Sequence, residues 1–352
     1  MVQSGADFPV IKNHFHAQVL TMTTGALQSA KPLVTVITVT MNSQETIGQC
    51  IDSVLREAGS GLDLEMIVVD NGSKDNTLQI VKEKGVQLII EQTNLGFCAA
   101  NNNGVHKASG QYILFLNPDA MITPEYLVQG IDLLKAEPKV GFLTGKVLRM
   151  YPDGSPVLSG GYPVFDTAGI NLRANRQAVD IGMGEEDHGQ YDRPAIVSAI
   201  CGAVCLCKAE VLAELAVDGE VFDELFFIYK EDVDLGWRAQ RLGWTCLYTP
   251  KIVAYHARGW QSGLQARSSI PKQLRFHSYK NRRMMILKNE KLSSLPVSFF
   301  PIIGFEIASL CYLIINEPYL LETYNFILQN LRHILRWRHV IQSRAHGKRG
   351  IP

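Results

Sequence analysis

Four short runs of β-branched and apolar residues alternate with segments of helical period between residues 33 and 116, and this alternation constrains the fold more than any other feature. Leu33–Thr40 (LVTVITVT), bounded by Pro32 and Asn42, reads as a buried strand. Ile47, Ile51, Val54 and Leu55 follow at helical spacing, and Leu64–Asp70 (LEMIVVD) is a second strand ending in a polar turn. A helix over Asn76–Lys84, a strand over Val86–Glu91, a helix over Phe97–Ala108 and a strand over Tyr112–Leu116 complete the series. Strands and helices alternating at such short intervals predict an α/β fold, a doubly wound, mostly parallel sheet of Rossmann-like type. Ligands of such sheets bind beyond the carboxyl ends of the strands. Asn42, Asp70, Asn94 and Asp119 fall at those ends.

The middle of the chain reads differently. Residues 149–195 are rich in Gly, Pro, Asp and Asn and weak in periodicity, which predicts a long excursion or site-forming loops. Regular structure returns with a strand over Ala195–Lys208, a helix over Ala209–Leu215, a helix opening near Glu231 and a strand over Thr245–Tyr248. The expected organisation is an N-terminal arm (1–30), an α/β body (31–265) and a helical, apolar and basic C-terminal region (266–352).

Composition closes off several classes. Apolar residues make up 46% and charged residues 19% of the 352, enough for a core. Thirty-four basic residues balance thirty-four acidic ones, so the surface is not one built wholesale to hold nucleic acid. Seven cysteines, an odd number set mostly in apolar runs, suit reduced thiols in a cytosolic setting. Cys201, Cys205 and Cys207 share a face if Ile196–Lys208 is one strand, but no second Cys or His pair follows at zinc spacing. The N-terminus has no uninterrupted apolar core of the secretory type.

Candidate chemistry sits at the strand ends. Asp70, in VVDNGSKDNT, can accept hydrogen bonds from a nucleoside, while Asp75 reads as a cap for the next helix. Asp119 in FLNPDA either initiates an Asx turn or holds a hard divalent cation that also grips a diphosphate. The NLGFCAANNNG segment places Gly96 where a backbone can approach a ligand closely. In FDELFFIYKEDVDLGWRAQRLGW, Asp232 and Asp234 project from opposite sides of a helix. Asp234 is spaced to pair with Arg238 on the surface, which leaves Asp232 as the candidate general base. His256 is either a satisfied structural histidine or a ligand beside Asp119.

Taken in order, these segments resemble family 2 inverting glycosyltransferases of the GT-A fold, especially the bacterial rhamnosyltransferase-like branch. The resemblance runs from about Val34 to Gly263 and rests on VTVITVTMNSQETIGQCIDSVL, EMIVVDNGSKDNT, NLGFCAANNNG, YILFLNPDA, CGAVCLCKAEVL, FDELFFIYKEDVDLGWRAQRLGW and YHARGWQSG. It implies that Thr40, Asn42, Asp70, Asn94, Gly96, Phe97, Asn101 and Asn117 bind a nucleoside-diphosphate sugar. It further implies that Gly202, Ala203, Glu231 and Trp260 line the acceptor and sugar pocket and that Asp232 is the base. Asp119 and His256 would hold Mg2+ or Mn2+. The family's Asp-x-Asp reads Asn117-Pro118-Asp119 here, so the first carboxylate is an amide and Asp119 is the principal ligand. dTDP-L-rhamnose is the donor that the resemblance favours over UDP- or GDP-hexoses, with a glycan or polyprenyl-linked acceptor. A sugar-1-phosphate nucleotidyltransferase would need a Gly-rich basic loop after the first strand, and TMNSQET has neither feature. A catalytically silent nucleotide-sugar-binding scaffold is disfavoured by the joint presence of Asp70, Asp119, Asp232 and His256.

The last quarter carries a separate signal. Leu295–Ile315 contains one charge, Glu306, and is long enough to span a bilayer, although two prolines and the carboxylate count against a span. No acidic residue follows Glu322, while Arg332, Arg336, Arg338, Arg344, Lys348 and Arg349 accumulate beside Leu331, Ile334, Leu335 and Trp337. The pattern favours association with an anionic membrane surface, peripheral at the inner face, over a packed subdomain or a true span.

Overall fold

The chain was analysed as a computed structural model that describes residues 33–258, 270–291 and 295–347. The N-terminal arm and Trp260 lie outside the described residues.

The first half follows the alternation of its sequence. Strands β1 (Leu33–Thr40), β2 (Asp63–Asp70), β3 (Gln87–Ile90) and β4 (Tyr112–Leu116) are separated by helices α1 (Ile47–Leu55), α2 (Thr77–Lys84) and α3 (Phe97–Lys107). β1 pairs in parallel with β2 and β4, and β2 with β3, which gives the order 3-2-1-4. β1 and the second half of β2 are buried along their length, as continuous apolar strands covered on both faces must be. The carboxyl ends of β1, β2 and β4 open on the same edge.

The second half extends the same sheet with mixed pairing. β5 (Ala120–Ile122), α4 (Tyr126–Ala136) and β6 (Val140–Arg149) lead into the excursion. There, short pairs β7 (Leu158–Ser159) with β8 (Tyr162–Pro163) and β10 (Ile170–Leu172) with β11 (Ala178–Asp180) flank β9 (Phe165–Thr167), which adds to β6. The strand expected over Ala195–Lys208 is two strands, β12 (Ala195–Val197) and β13 (Val204–Lys208). Between them Ala199 packs against Gly236, and the Gly202 amide is held by Asp232, so the chain leaves the sheet to build a wall. β13 inserts antiparallel between β4 and β6. After α5 (Ala209–Leu215) and α6 (Glu231–Arg241), β14 runs from Thr245 to His256, well past the expected end at Tyr248. A register shift between Tyr248 and Val253, around Pro250, lets it continue, because a proline cannot donate to the ladder.

The C-terminal helices α7 (Lys272–Asn289), α8 (Leu295–Asn316), α9 (Glu322–Gln329) and α10 (Leu331–Gly347) pack onto this body. Met284, Met285, Ile327, Ile334 and Ala345 belong to the same buried cluster as β1 and β4. The Asp234–Arg238 pair expected on the surface is instead buried, at 2.9 Å, because α7 and α10 cover it. Lys288 of α7 is fully buried and bridges Asp223 (2.8 Å) and Asp234 (3.1 Å) beneath the Trp337 ring of α10. Glu306, the lone carboxylate of α8, is paired with Arg282 and Arg283.

Three arginines of α10 contact the protein, while Arg332 is exposed. Arg336 pairs with Asp218, Arg338 donates to the Leu287 carbonyl, and Arg344 donates to the Glu214 and Ala216 carbonyls at the end of α5. Ile334, Trp337 and Ile341 are buried, so the apolar stripe of α10 turns inward and carries its flanking cations to the protein.

Candidate functional site

The loops after β1 and β2 are locked together before any ligand arrives. Asn42 has a left-handed backbone (φ 53°), receives the Lys74 amide at its Oδ1, and donates its own amide to Ser73 Oγ. Asp75 takes the Thr77 and Gln44 amides from the position before the cap residue Asn76, so it ties the turn to the neighbouring loop rather than capping the helix as expected. Asp70 behaves differently. Its Oδ2 accepts the Gly72 and Ser73 amides, whereas its Oδ1 is buried without a partner, as is Thr40 Oγ1. Buried hydrogen-bonding capacity left unmet is costly, and a donor on a bound nucleoside would meet it.

Asn94 and Asn71 organise the next loop. Asn94 Oδ1 accepts from the Asn71 side chain (2.9 Å) and the Gly96 amide (2.8 Å), and Asn71 Oδ1 takes the Leu95 amide. Gly96 has φ +91°, and a Cβ there would meet the Phe227 ring at 2.5 Å, so both backbone and space require glycine. Asn101 bonds back onto the Phe97 carbonyl within its own helix.

Beyond these loops lies a cavity of about 940 Å³. Its lining brings together Phe97, Asn117, Asp119, Gly202, Ala203, Glu231, Asp232 and His256 of the expected site residues. Thr40, Asn42, Asp70, Asn94, Gly96 and Asn101 are not part of that lining and sit toward the β1–β2 side.

Asp232 opens α6, where the positive helix end favours a carboxylate. Its Oδ2 accepts the Gly202 amide at 3.0 Å and its Oδ1 the Val233 amide at 2.7 Å. Burial raises the pKa of Asp232 above the usual carboxylate range, while those two amides oppose the rise. Glu231, next to it, has a buried Oε2 without a partner and is pushed up to about 8, first by burial and then by the charge of Asp232. Two adjacent buried carboxylates cannot both ionise cheaply. The larger rise at Glu231 favours the proton there, and the two amide donors favour the charge on Asp232.

In the same lining, β14 delivers His256 to the end of β4. Its Nε2 lies 3.3 Å from Asp119 Oδ1, and its Nδ1 lies 2.8 Å from Asp166 Oδ2. Burial opposes the imidazolium, yet the hydrogen bonds to Asp119 and Asp166 raise its pKa to about 9. Asp166 is fully buried. Burial works against its charge, but His256 and then Arg258 and Arg149 hold its carboxyl below the usual range. A carboxylate on Nδ1 fixes the tautomer that presents an Nε2 lone pair once the proton leaves. Asp119 and His256 thus offer one oxygen and one nitrogen, a donor set that suits Mn2+ or Mg2+ sharing its remaining positions with phosphate oxygens and water. Among the described residues no group of three or more His, Cys, Asp or Glu side chains forms a complete protein cage. The cysteine trio does not supply one, since Cys201, Cys205 and Cys207 are buried thiols raised by burial.

Two site residues escaped the sequence. Asp166 lies in the weakly patterned excursion and reaches the site only because β9 pairs with β6. Arg258 joins Asp166 (3.0 Å) and Asp180 (3.1 Å) and also lines the cavity. Asp166 carries no local motif, and Arg258, although it stands in the YHARGWQSG segment, was given no role there.

Known proteins share these features. Residues 35–182 match the family described as Glycosyl transferase family 2. The chain is 30% identical over 133 residues to Glycosyltransferase AglE of Haloferax volcanii, covering 36% of this chain and 43% of that protein. It is 26% identical over 230 residues to the N-acetylglucosaminyl-diphospho-decaprenol L-rhamnosyltransferase of Mycobacterium tuberculosis, covering 59% and 71%. The match therefore spans less than half the length of the first relative and about seven tenths of the second. Among solved structures, GalNAc-T7 with UDP, GalNAc and Mn2+ superposes with a TM-score of 0.55 at 14% identity, over 74% of this chain and 48% of that one. The architecture is a GT-A fold, and its residues 35–182 are similar to the glycosyl transferase family 2 domain.

Proposed function

We propose that the chain is an inverting glycosyltransferase that moves a sugar from a nucleoside-diphosphate donor to an acceptor hydroxyl in cell-surface polysaccharide synthesis. The observation that carries this reading is Asp232, a carboxylate fixed by the Gly202 and Val233 amides in a cavity whose lining also holds Asp119 and His256. Asp232 takes the proton of the acceptor hydroxyl as that oxygen attacks the anomeric carbon, and the nucleoside diphosphate leaves on the other side. General-base assistance contributes roughly 10²–10⁴-fold. Thr40 and Asp70 hold the nucleoside, with Asn42, Asn94, Gly96 and Asn101 shaping the pocket around it. Phe97 and Asn117 border the sugar, and Ala203, Glu231 and Trp260 are assigned to the acceptor side. Asp119 and His256 would hold a divalent cation, which supplies positive charge against the departing diphosphate.

The donor assigned is dTDP-L-rhamnose. The similarity to the mycobacterial rhamnosyltransferase supports it, and the activity in that relative's name also supports a glycan or polyprenyl-linked acceptor. Mn2+ in the GalNAc-T7 structure supports the cation assignment. The proposed location is cytoplasmic, peripheral at the inner face of the membrane, with α8 as the contact. The test is a donor screen for nucleoside diphosphate release, with and without Mn2+ or Mg2+. Asp232→Asn should abolish transfer and leave nucleotide affinity nearly unchanged. Normal turnover by that variant would refute the base assignment, and no release from any donor would refute the activity.

A further inference from the structure

The cavity has two poles. One is acidic, where Asp119, Asp180, Glu231 and Asp232 line it. The other is made by α7, whose Arg275, Arg282 and Arg283 line it from the far side. Arg275 and Arg282 are seven residues apart on the helix, with Ser278 and Tyr279 between them on the same stripe, so the basic pole is one continuous helix face. At about 940 Å³ the cavity is at the upper end of small-molecule sites, larger than one sugar needs.

Its roof is α8. Phe305, Ala308, Ser309 and Tyr312 face the cavity at helical spacing, and on the other side Phe300, Ile303, Ile307 and Ile314 are exposed, also at helical spacing. Ser298–Asn316 is long and apolar enough to cross a membrane, and most of it is not buried in the protein. One helix therefore shows hydrocarbon to the outside while it closes the space that holds the base. A contiguous apolar surface of this kind beside a polar site fits a bilayer rather than water.

The charges at the basic pole are incompletely matched. Arg282 and Arg283 share the single carboxylate of Glu306, and Arg275 pairs with Glu317. Among the described residues three guanidinium groups thus face two carboxylates, and Arg282 and Arg283, which also donate to the Asn175 carbonyl and to Tyr279 and Tyr324, are buried. Guanidinium groups clustered and desolvated in this way are suited to the oxygens of a phosphate, which offer the bidentate geometry that one shared carboxylate cannot give to both.

We infer that α7 forms the acceptor's phosphate site: the acceptor is an amphiphile in which a phosphate or diphosphate joins the sugar to a long hydrocarbon chain. Its phosphate rests on Arg275, Arg282 and Arg283, displacing Glu306. The hydrocarbon leaves past α8 into the bilayer, and the sugar reaches toward Asp232. This assignment rests on the proposed glycosyl transfer and specifies the acceptor class for the same site.

The experiment uses the full chain and farnesyl diphosphate as the probe, with farnesol and inorganic diphosphate as comparisons. Binding is followed by calorimetry with the donor site filled by excess dTDP, UDP or GDP, whichever binds. Farnesyl diphosphate should bind while the nucleotide is present, and farnesol should bind far more weakly. Arg275→Gln and Arg282→Gln should each weaken farnesyl diphosphate on the order of tenfold or more, with nucleotide affinity unchanged. Glu306→Gln should have the opposite sign and tighten it, since it removes the competing anion. A purely structural role for the cluster would weaken binding in all three variants, and that result overturns the inference. So does displacement of farnesyl diphosphate by the nucleotide, which would place it in the donor site. If nucleotides bind and farnesyl diphosphate does not, this inference alone falls. If no nucleotide binds, the proposed transfer falls and takes the inference with it.

Discussion

Replacing Lys288 by Met tests whether the C-terminal helices hold α6, the helix that carries Asp232, in place. Lys288 is fully buried, and its ammonium lies 2.8 Å from Asp223, 3.1 Å from Asp234 and 4.1 Å from the centre of the Trp337 ring. Methionine fills most of the volume but leaves two carboxylates, both essentially without solvent contact, lacking their shared cation. Breaking a buried pair from one side costs about 3–5 kcal/mol. Asp223 keeps His333 at 2.9 Å, and Asp234 keeps Arg238 and Asn289, so the expected loss is about 3 kcal/mol, the low end of that range. With a urea m-value of about 3 kcal/mol/M, the midpoint falls by about 1 M. The loss depends on pH. Asp223 is buried, yet Lys288 and then His333 hold its carboxyl well below its ordinary 3.8. A depressed carboxylate contributes its stability above the unfolded value and loses it as pH falls through and below that value. The gap between wild type and Lys288→Met is therefore full near neutrality and closes below about pH 4. Midpoints that agree within about 0.2 M at neutral pH, or a gap that persists unchanged to about pH 3, would refute this account of the network.

Other expectations follow from the same geometry. Asp166→Asn should lower Mn2+ affinity roughly 10–100-fold in calorimetry with a nucleoside diphosphate present, because His256 loses the carboxylate that fixes its tautomer. Asp75→Ala should cost about 1 kcal/mol of stability and leave nucleotide affinity alone, since its oxygens serve only amides and a hydroxyl of the two loops. Asp70→Ala should instead weaken nucleotide binding on the order of tenfold, through the oxygen that has no protein partner. Arg336→Ala should change stability by less than about 0.5 kcal/mol in urea titration, because Arg336 and Asp218 meet in solvent.

The sequence revealed what depends on local period and little that depends on long-range pairing. β1 through β4 are legible because a strand buried on both faces must be apolar throughout, and helices between such strands leave a clear change of period. That Asp232 and not Asp234 lines the cavity was legible because two carboxylates at i and i+2 on a helix cannot face the same way. The burial of Asp234 and Arg238 was not, since i,i+4 spacing is the same whether the pair faces water or another helix. Nothing near Ala199 announced that the chain would leave the sheet between β12 and β13, because the cause is Gly236, more than thirty residues away. Asp166 and Arg258 owe their place to the β6–β9 and β6–β14 pairings. The inward turn of α10 was hidden because a basic amphipathic helix reads alike over lipid and over carbonyl groups.

The late insertion of β13 has a consequence for biosynthesis. β4 emerges early, but the strand that covers its open edge, Val204–Lys208, lies about 90 residues downstream. At the usual pace of translation of about 5–20 residues per second, the apolar edge YILFL waits roughly 5 to 20 s for its partner. An uncapped apolar strand edge invites pairing with another nascent chain. Expression of this protein should accordingly favour slow growth or abundant chaperone, and truncations that end before residue 204 should aggregate rather than yield a soluble half.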